Sequence, residues 1–278
     1  METATPDRLV LGGHSFIEQL GNDPEASFDE QCRIVRACLD AGVRRIDTTY
    51  YQERVALGRV LAHLGRRDEA YIQAWNFFQQ PGQEKDLVGP TPYEPHHLRT
   101  LRDELQTDRV DLLVVHVHED VERLRRELAL AAGWRAAGQV QEVGLGMATP
   151  RHLDMLPSSH PVTHVLAPYN AFHRDAAETF TQARAMGLRT VAMSPFVRGW
   201  KLDEIVAAGG EDKARVADVL LRWVAGQPLV DHVIVSMRRA DWVQRNLESL
   251  ARGPLRPEEQ ARLGAWLGGP GETGARGR

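Results

Sequence analysis

Short apolar runs alternate with longer amphipathic stretches along this 278-residue chain. The runs, rich in Val, Leu and Ile, fall at residues 9–11, 43–47, 70–75, 110–116, 140–145, 162–167, 189–193 and 232–235. Their length and bounding turn residues predict eight strands. Between them, apolar residues three and four apart predict helices over 28–41, 53–64, 95–105, 121–137, 175–186, 213–224 and 240–250. A further helix is predicted over 257–267. Several of these patterns close on glycine, as at Ala41-Gly42 and Met186-Gly187, where a left-handed cap is expected. Strand and helix alternating about eight times is the mark of βα units and a parallel sheet. The expectation is α/β: a single (β/α)8 TIM barrel over residues 1–268, with a flexible glycine-rich tail at 269–278.

Two of the predicted strands end on side chains that can do chemistry. One reads Ile46-Asp47-Thr48-Thr49-Tyr50, the other Asp111-Leu112-Leu113-Val114-Val115-His116. The C-terminal strand ends of a parallel barrel converge on its mouth, so Asp47, Tyr50 and His116 are candidates for one site. The connection from Asn76 to Tyr93 is longer and more polar than a minimal βα turn. It reads either as a lid or specificity loop over that mouth or as an unconstrained surface insertion.

Seven segments in order resemble one family. FDEQCRIVRACLDAGVRRIDTTY and ERVALGRVL are followed by TDRVDLLVVH, GQVQEVGLGM, MSPFVRGWKL, LLRW and VIVSMRRADWVQRNL. Together they are similar to the strand-end and cofactor motifs of the aldo-keto reductases, and the similarity runs over nearly the whole chain. The resemblance implies a barrel of aldo-keto reductase type that reduces an aldehyde or ketone with NADPH. It implies Tyr50 as proton donor, with Tyr51 as the fallback, His116 as polariser of the carbonyl and Asp47 as organiser of the hydrogen-bond network. Ser194, Phe196, Arg238 and Asn246 fall at cofactor-binding positions, and Arg238 suits a 2′-phosphate.

The same resemblance shows where this chain departs from the pattern. The family's lysine at the end of the third strand falls in Tyr71-Ile72-Gln73-Ala74-Trp75-Asn76, at Trp75 or Asn76. Without a neighbouring cation a tyrosine is expected to keep a pKa near ~10. The family's Ser-Asn pair and Gln, which bind the nicotinamide carboxamide, correspond to Gly146-Met147 and Leu166, and its stacking aromatic to Met193. Trp75, Trp200 and Phe196 project toward the mouth on this alignment, which favours a flat or apolar substrate.

Four further observations bound the function. His116 and His118 are two apart, and with Asp47, Glu53, His14 or Asp120 they offer an alternative metal site if the strand extends that far. A net charge of −4 with no basic stripe argues against a nucleic-acid partner. No apolar run approaches the ~18 residues of a membrane span, and the N-terminus lacks a leader pattern, so a cytoplasmic location is expected. Cys32 and Cys38 form no C-x-x-C and read as reduced thiols. The leading expectation is an NADP(H)-dependent reductase of a small carbonyl compound. The alternatives are a non-redox lyase or isomerase, acid–base or metal-dependent, and a non-catalytic binding protein with a decayed site.

Overall fold

The computed structural model describes residues 6–18, 25–209 and 211–268; the tail expected at 269–278 lies outside the described residues. Eight strands, β1 (Leu9–Gly12), β2 (Arg45–Thr48), β3 (Tyr71–Trp75), β4 (Val110–His116), β5 (Val140–Gly146), β6 (Val162–Pro168), β7 (Arg189–Met193) and β8 (His232–Val235), close into a barrel in sequence order. Every neighbouring pair is parallel, including β8 with β1. The helices are α1 (Phe28–Asp40), α2 (Tyr51–Leu64), α3 (His97–Glu104), α4 (Val121–Ala136), α5 (Pro150–Asp154), α6 (Ala177–Ala185), α7 (Trp200–Gly209), α8 (Lys213–Ala225), α9 (Ala240–Ala251) and α10 (Pro257–Leu267).

Local chemistry accounts for the boundaries. Ser27 caps α1 by accepting from the Glu30 amide at 3.3 Å, and Asp29 and Glu30 sit in its first turn, where the helix dipole favours negative charge. The buried face of α1, with Ile34, Val35, Cys38 and Leu39, has helical spacing. Gly42 and Gly187 follow their helices with φ of +83° and +76°, as the pattern predicts. Two helices went unpredicted. The five residues of α5 are too few to show a period, and α7 buries only Leu202 and Ile205 beneath an otherwise polar or exposed surface.

Alternation along the strands makes two apolar shells. Leu9, Leu11, Ile46, Ile72, Leu113, Val115, Val143, Leu145, Val165 and Val235 face outward into the layer beneath the helices. Val10, Leu112, Val114, Leu166, Val191 and Ile234 face inward and pack with Trp75 and Phe77. Both faces are covered, which is why the strands read as continuous apolar runs. The inward set is also partly polar, with Gln73 and His164 fully buried. Nearer the N-terminal end of the strands, the Arg45 guanidinium lies 4.1 Å from the centre of the Tyr71 ring, whose hydroxyl donates to Glu142.

The 76–93 connection is fastened at both ends. Asn76 donates to the Thr91 carbonyl at 2.7 Å and receives the Thr91 amide at 2.7 Å. Phe77, Phe78 and Tyr93 are buried, and Gln52 of α2 donates to the carbonyls of Glu84 and Asp86. The segment is therefore a built part of the mouth rather than an unconstrained insertion.

Candidate active site

Asp47, one residue before the end of β2, is almost completely buried, and its Oδ1 accepts a 2.8 Å hydrogen bond from the Trp75 indole N–H. The register explains the meeting. Asp47 stands opposite Gln73, and two residues on along β3 bring Trp75 to the same inward face. Of the two residues at the position the resemblance gives to lysine, Trp75 therefore occupies the interior. Asn76 holds the loop and receives the His116 amide on its Oδ1 at 2.8 Å.

The indole has room because residue 146 is glycine. A Cβ there would lie 1.9 Å from Trp75 Cζ3, well inside any allowed contact. Trp75 and Gly146 are thus a matched pair across the barrel, one large ring against one absent side chain. Sequence reasoning registered both departures separately and missed their coupling. A residue-146 side chain lost from β5 just where β3, two strands away, gains a tryptophan was the available signal.

Aromatic and imidazole rings continue around the mouth. His14 lies 5.6 Å from Tyr50 between ring centres, Tyr50 lies 5.5 Å from Phe77, and Phe77 lies 5.7 Å from His116. Trp75 closes the arc at 6.2 Å from Phe77 and 6.3 Å from His116. Tyr50 packs against the inward apolar cluster, whereas Tyr51 lines a groove between the starts of α1 and α2 with Phe28 and Arg59. Tyr50, Asp47 and His116 therefore gather at one end of the barrel, and Tyr51 stands apart from them.

A fully buried carboxylate supports this arc from behind. Glu53 accepts from the Thr49 amide at 2.6 Å and the Tyr50 amide at 3.3 Å, and its other oxygen lies 2.9 Å from His14 Nδ1. It fixes the backbone that carries Tyr50 while closing the first turn of α2.

Burial pulls the titratable groups toward their neutral forms. Loss of hydration pushes the Asp47 carboxyl up to about 7; the indole hydrogen bond opposes that, Glu53 adds to it and His14 opposes it. His116 is held below the usual histidine range, again mainly by burial. Its Nδ1 lies 2.8 Å from the Val117 carbonyl.

The raised Asp47 pKa has a thermodynamic consequence. Its folded value lies above the ordinary aspartate value of about 3.9, so the folded state binds the proton more tightly than the unfolded chain. Stability attributable to this residue is fullest below pH ~4 and declines as pH rises to about 7. The difference between wild type and Asp47→Asn in urea-unfolding free energy is expected to shift by a few kcal/mol over that window, at about 1.36 kcal/mol per pKa unit. A pH-independent difference would show that Asp47 is an ordinary carboxylate.

Of the other residues implied by the resemblance, Ser194, Phe196 and Arg238 follow the C-terminal ends of β7 and β8. Ser194 follows β7 with φ +56°, its carbonyl accepting from Asn170 at 3.0 Å, and Phe196 packs against the outer core. Arg238 lies between β8 and α9 and donates to the carbonyls of His14 and Ile17, each at 2.8 Å. Asn246 is half-buried within α9. Met193 packs on the inward cluster, and Leu166 is buried within it. Met147 and Trp200 are exposed beyond the ends of β5 and β7.

His118 takes a different course. The strand stops at His116, so the period-two argument does not extend to His118. Its Nε2 lies 2.8 Å from Glu127 Oε2, while Glu127 Oε1 accepts the Tyr93 amide at 2.7 Å. His118 is thus engaged with Glu127, and among the described residues no three His, Cys, Asp or Glu side chains gather as metal ligands.

Comparison with known proteins agrees with this architecture. The sequence profile of the aldo/keto reductase family matches residues 8–206. Aldo-keto reductase YhdN of Bacillus subtilis (strain 168) is 22% identical over 200 residues, covering 69% of this chain and 59% of that protein, so the match spans less than two thirds of the relative. Aldo-keto reductase AKR11C1 from Bacillus halodurans, in its holo form, superposes with a TM-score of 0.73 at 18% identity, over 93% of this chain and 91% of that one. An aldo/keto reductase from Klebsiella pneumoniae, solved with NADP and acetate, superposes at 0.69 and 18% identity, over 97% and 94% of the two chains. No helix among the described residues is long and apolar enough to cross a membrane. With the family profile covering most of the chain and the barrel closed in the same order as its sequence, the protein belongs to the aldo/keto reductase family.

Proposed function

We propose that the protein reduces a flat or apolar carbonyl compound with NADP(H), using Tyr50 as the proton donor. The observation that carries this reading is the continuous arc of rings that brings Tyr50 and His116 to the mouth beside the buried Asp47. The family membership and the NADP bound to the Klebsiella pneumoniae relative support it.

The chain's residues fit one half of the cofactor better than the other. Ser194 and Arg238 follow the C-terminal ends of β7 and β8 and, with Asn246 of α9, are the positive charge and polar groups suited to an adenosine phosphate. Gly146, Met147 and Leu166 offer the carboxamide no side-chain hydrogen bond, so affinity rests on the phosphate half. When bound, NADP(H) supplies the hydride.

The chain's own residues have separate tasks. Tyr50 holds the proton destined for the carbonyl oxygen. Trp75, Phe77 and Tyr50 present flat apolar surface to the substrate and exclude water from it. Glu53 fixes Tyr50 through its backbone amide. The Val117 carbonyl can only accept, so the neutral His116 ring carries its proton on Nδ1. Its Nε2 can then donate to a carbonyl only as imidazolium, which burial disfavours, so reduction is expected to gain from acidic pH.

NADPH oxidation with an aromatic aldehyde tests the reading directly. Tyr50→Phe is expected to lower kcat by about 10²-fold or more, as for a removed general acid, while NADPH binding followed by tryptophan fluorescence is retained. Unchanged turnover in this variant rejects Tyr50, and absence of NADPH binding at millimolar concentration rejects the reductase reading altogether.

A further inference from the structure

The carboxylate of Glu127 sits where three segments around His116 meet. Glu127 lies on α4 and is almost completely buried. Its Oε1 accepts the Tyr93 amide at 2.7 Å and the Asn76 side-chain amide at 3.4 Å, which ties both ends of the 76–93 connection to α4. Its Oε2 lies 2.8 Å from His118 Nε2 and 3.4 Å from Arg123 Nε. Burying a carboxylate is costly, and these contacts offset the cost.

The backbone on either side of His116 is fastened to this group. Before the ring, the His116 amide donates at 2.8 Å to Asn76 Oδ1. Asn76 is fully buried, and its Nδ2 is shared between the Thr91 carbonyl and Glu127. After the ring, the Val117 amide donates at 3.0 Å to the Gly146 carbonyl of β5, so the next peptide, from Val117 to His118, is set by where His118 is held. His118 Nδ1 has no hydrogen-bond partner among the described residues, which makes Glu127 the polar anchor of that ring. The carbonyl of this same peptide is the one 2.8 Å from His116 Nδ1.

We propose that Glu127 is a positioning residue for His116, fixing the Val117–His118 peptide and, through its carbonyl, the nitrogen on which the neutral ring keeps its proton. It acts through Asn76, His118 and Val117, not by contact with the carbonyl compound. The consequence for reduction is a restriction. While the Val117 carbonyl holds the proton on Nδ1, Nε2 offers a substrate oxygen only a lone pair, and imidazolium alone can donate to it. Loosening the peptide lets the ring carry its proton on Nε2 and donate while neutral. Glu127 therefore makes polarisation by His116 conditional on protonation. Burial is the main influence against that protonation; among the charged groups facing the ring, His118 and Arg123 add to it and Glu127 opposes it.

The inference deepens the proposed function and rests on His116 taking part in it, but its first test needs neither substrate nor nucleotide. Full-length protein labelled with 15N-histidine is examined by two-bond 15N–1H correlation at pH ~8, above the ordinary histidine pKa, where a protonated ring nitrogen is told from a bare one. The His116 signals are those missing from His116→Gln. Wild type is expected to show Nδ1 protonated and Nε2 bare. In Glu127→Ala the proton should be shared between both nitrogens. The same is expected of His118→Ala, which removes the anchor at a side chain that is 17% exposed and leaves the core untouched. Glu127→Gln keeps an acceptor for Tyr93 and Asn76 and a donor for the other tautomer of His118, so it should restore the wild-type pattern. Turnover should follow the same order, kcat falling by up to ~10²-fold in Glu127→Ala, as for a group displaced by about 1 Å. The gain on acidification should shrink in the two alanine variants, and NADPH affinity should not change. A wild-type His116 pattern in folded His118→Ala and Glu127→Ala overturns the inference, as does a wild type with the proton on Nε2. A nitrogen pattern that responds as expected in a protein that oxidises no NADPH leaves the role of Glu127 standing and rejects the reductase reading.

Discussion

Gly146→Ala is expected to expel Trp75 from the barrel and break its hydrogen bond to Asp47. The added Cβ would lie 1.9, 2.4 and 2.9 Å from three carbons of the indole, and a fused ring offers no flexible end that could yield. The ring must rotate into neighbours that are themselves packed, Phe77 and Val114 among them. Overpacking of this kind costs about 1–3 kcal/mol, and stripping a buried carboxyl of its donor adds about 1–3 kcal/mol. A melting temperature lowered by several degrees and an altered near-ultraviolet circular dichroism spectrum should report it. The Asp47 pKa should also rise further, since the lost indole bond was one of the interactions holding it down. Trp75→Leu in the Gly146→Ala background should recover much of the stability, because the pair is coupled through direct contact. A Gly146→Ala protein with wild-type melting and spectrum would mean that the indole does not occupy this space.

Arg54→Met is the second large effect. Arg54 is fully buried in α2 and joins four parts of the fold. It pairs with Glu104 at the end of α3, donates to the Thr49 carbonyl at 2.8 Å and the Phe77 carbonyl at 2.9 Å, and lies 5.5 Å from the centre of the Phe78 ring. Methionine fills part of the volume and satisfies none of these acceptors. Removing one member of a buried ion pair typically costs about 3–5 kcal/mol, since the partner is left without compensation. Burial already pushes the Glu104 carboxyl up, and the loss of Arg54 would push it further, so the defect should lessen at acidic pH. Urea titration should show a midpoint reduced accordingly. Because Thr49 precedes Tyr50 and Phe77 lines the mouth, turnover should fall even in protein that remains folded. A free-energy change below ~1 kcal/mol would show that Arg54 is replaceable packing.

The barrel was legible because its signals are local and repeated. Each strand carries its own apolar run and most helices their own period and cap, so an error at one element leaves the others intact. Thus β4, β7, β8 and α10 span the residues the pattern predicted, and most other elements differ only at their ends. Where α5 and α7 were missed, five residues and two buried apolar positions were too little signal. Asp47, Tyr50 and His116 were legible as mouth residues for the same reason, since each lies within two residues of the end of a strand whose direction is fixed by the parallel topology.

What sequence alone determined, then, is the architecture and the list of polar residues at its mouth. Which of those residues meet was decided by register and by side-chain direction, which depend on neighbouring strands. Register selected Trp75 over Asn76 as the partner of Asp47 and made Gly146 the space that admits the indole. The early end of β4 turned His118 to Glu127 instead of to His116. Proton placement was also tertiary. The Val117 carbonyl fixes the His116 tautomer, and burial among the barrel's own side chains raises the Asp47 pKa. A linear chain records which groups can titrate, whereas the dielectric and the hydrogen-bond partners that set their charge exist only once the strands have closed.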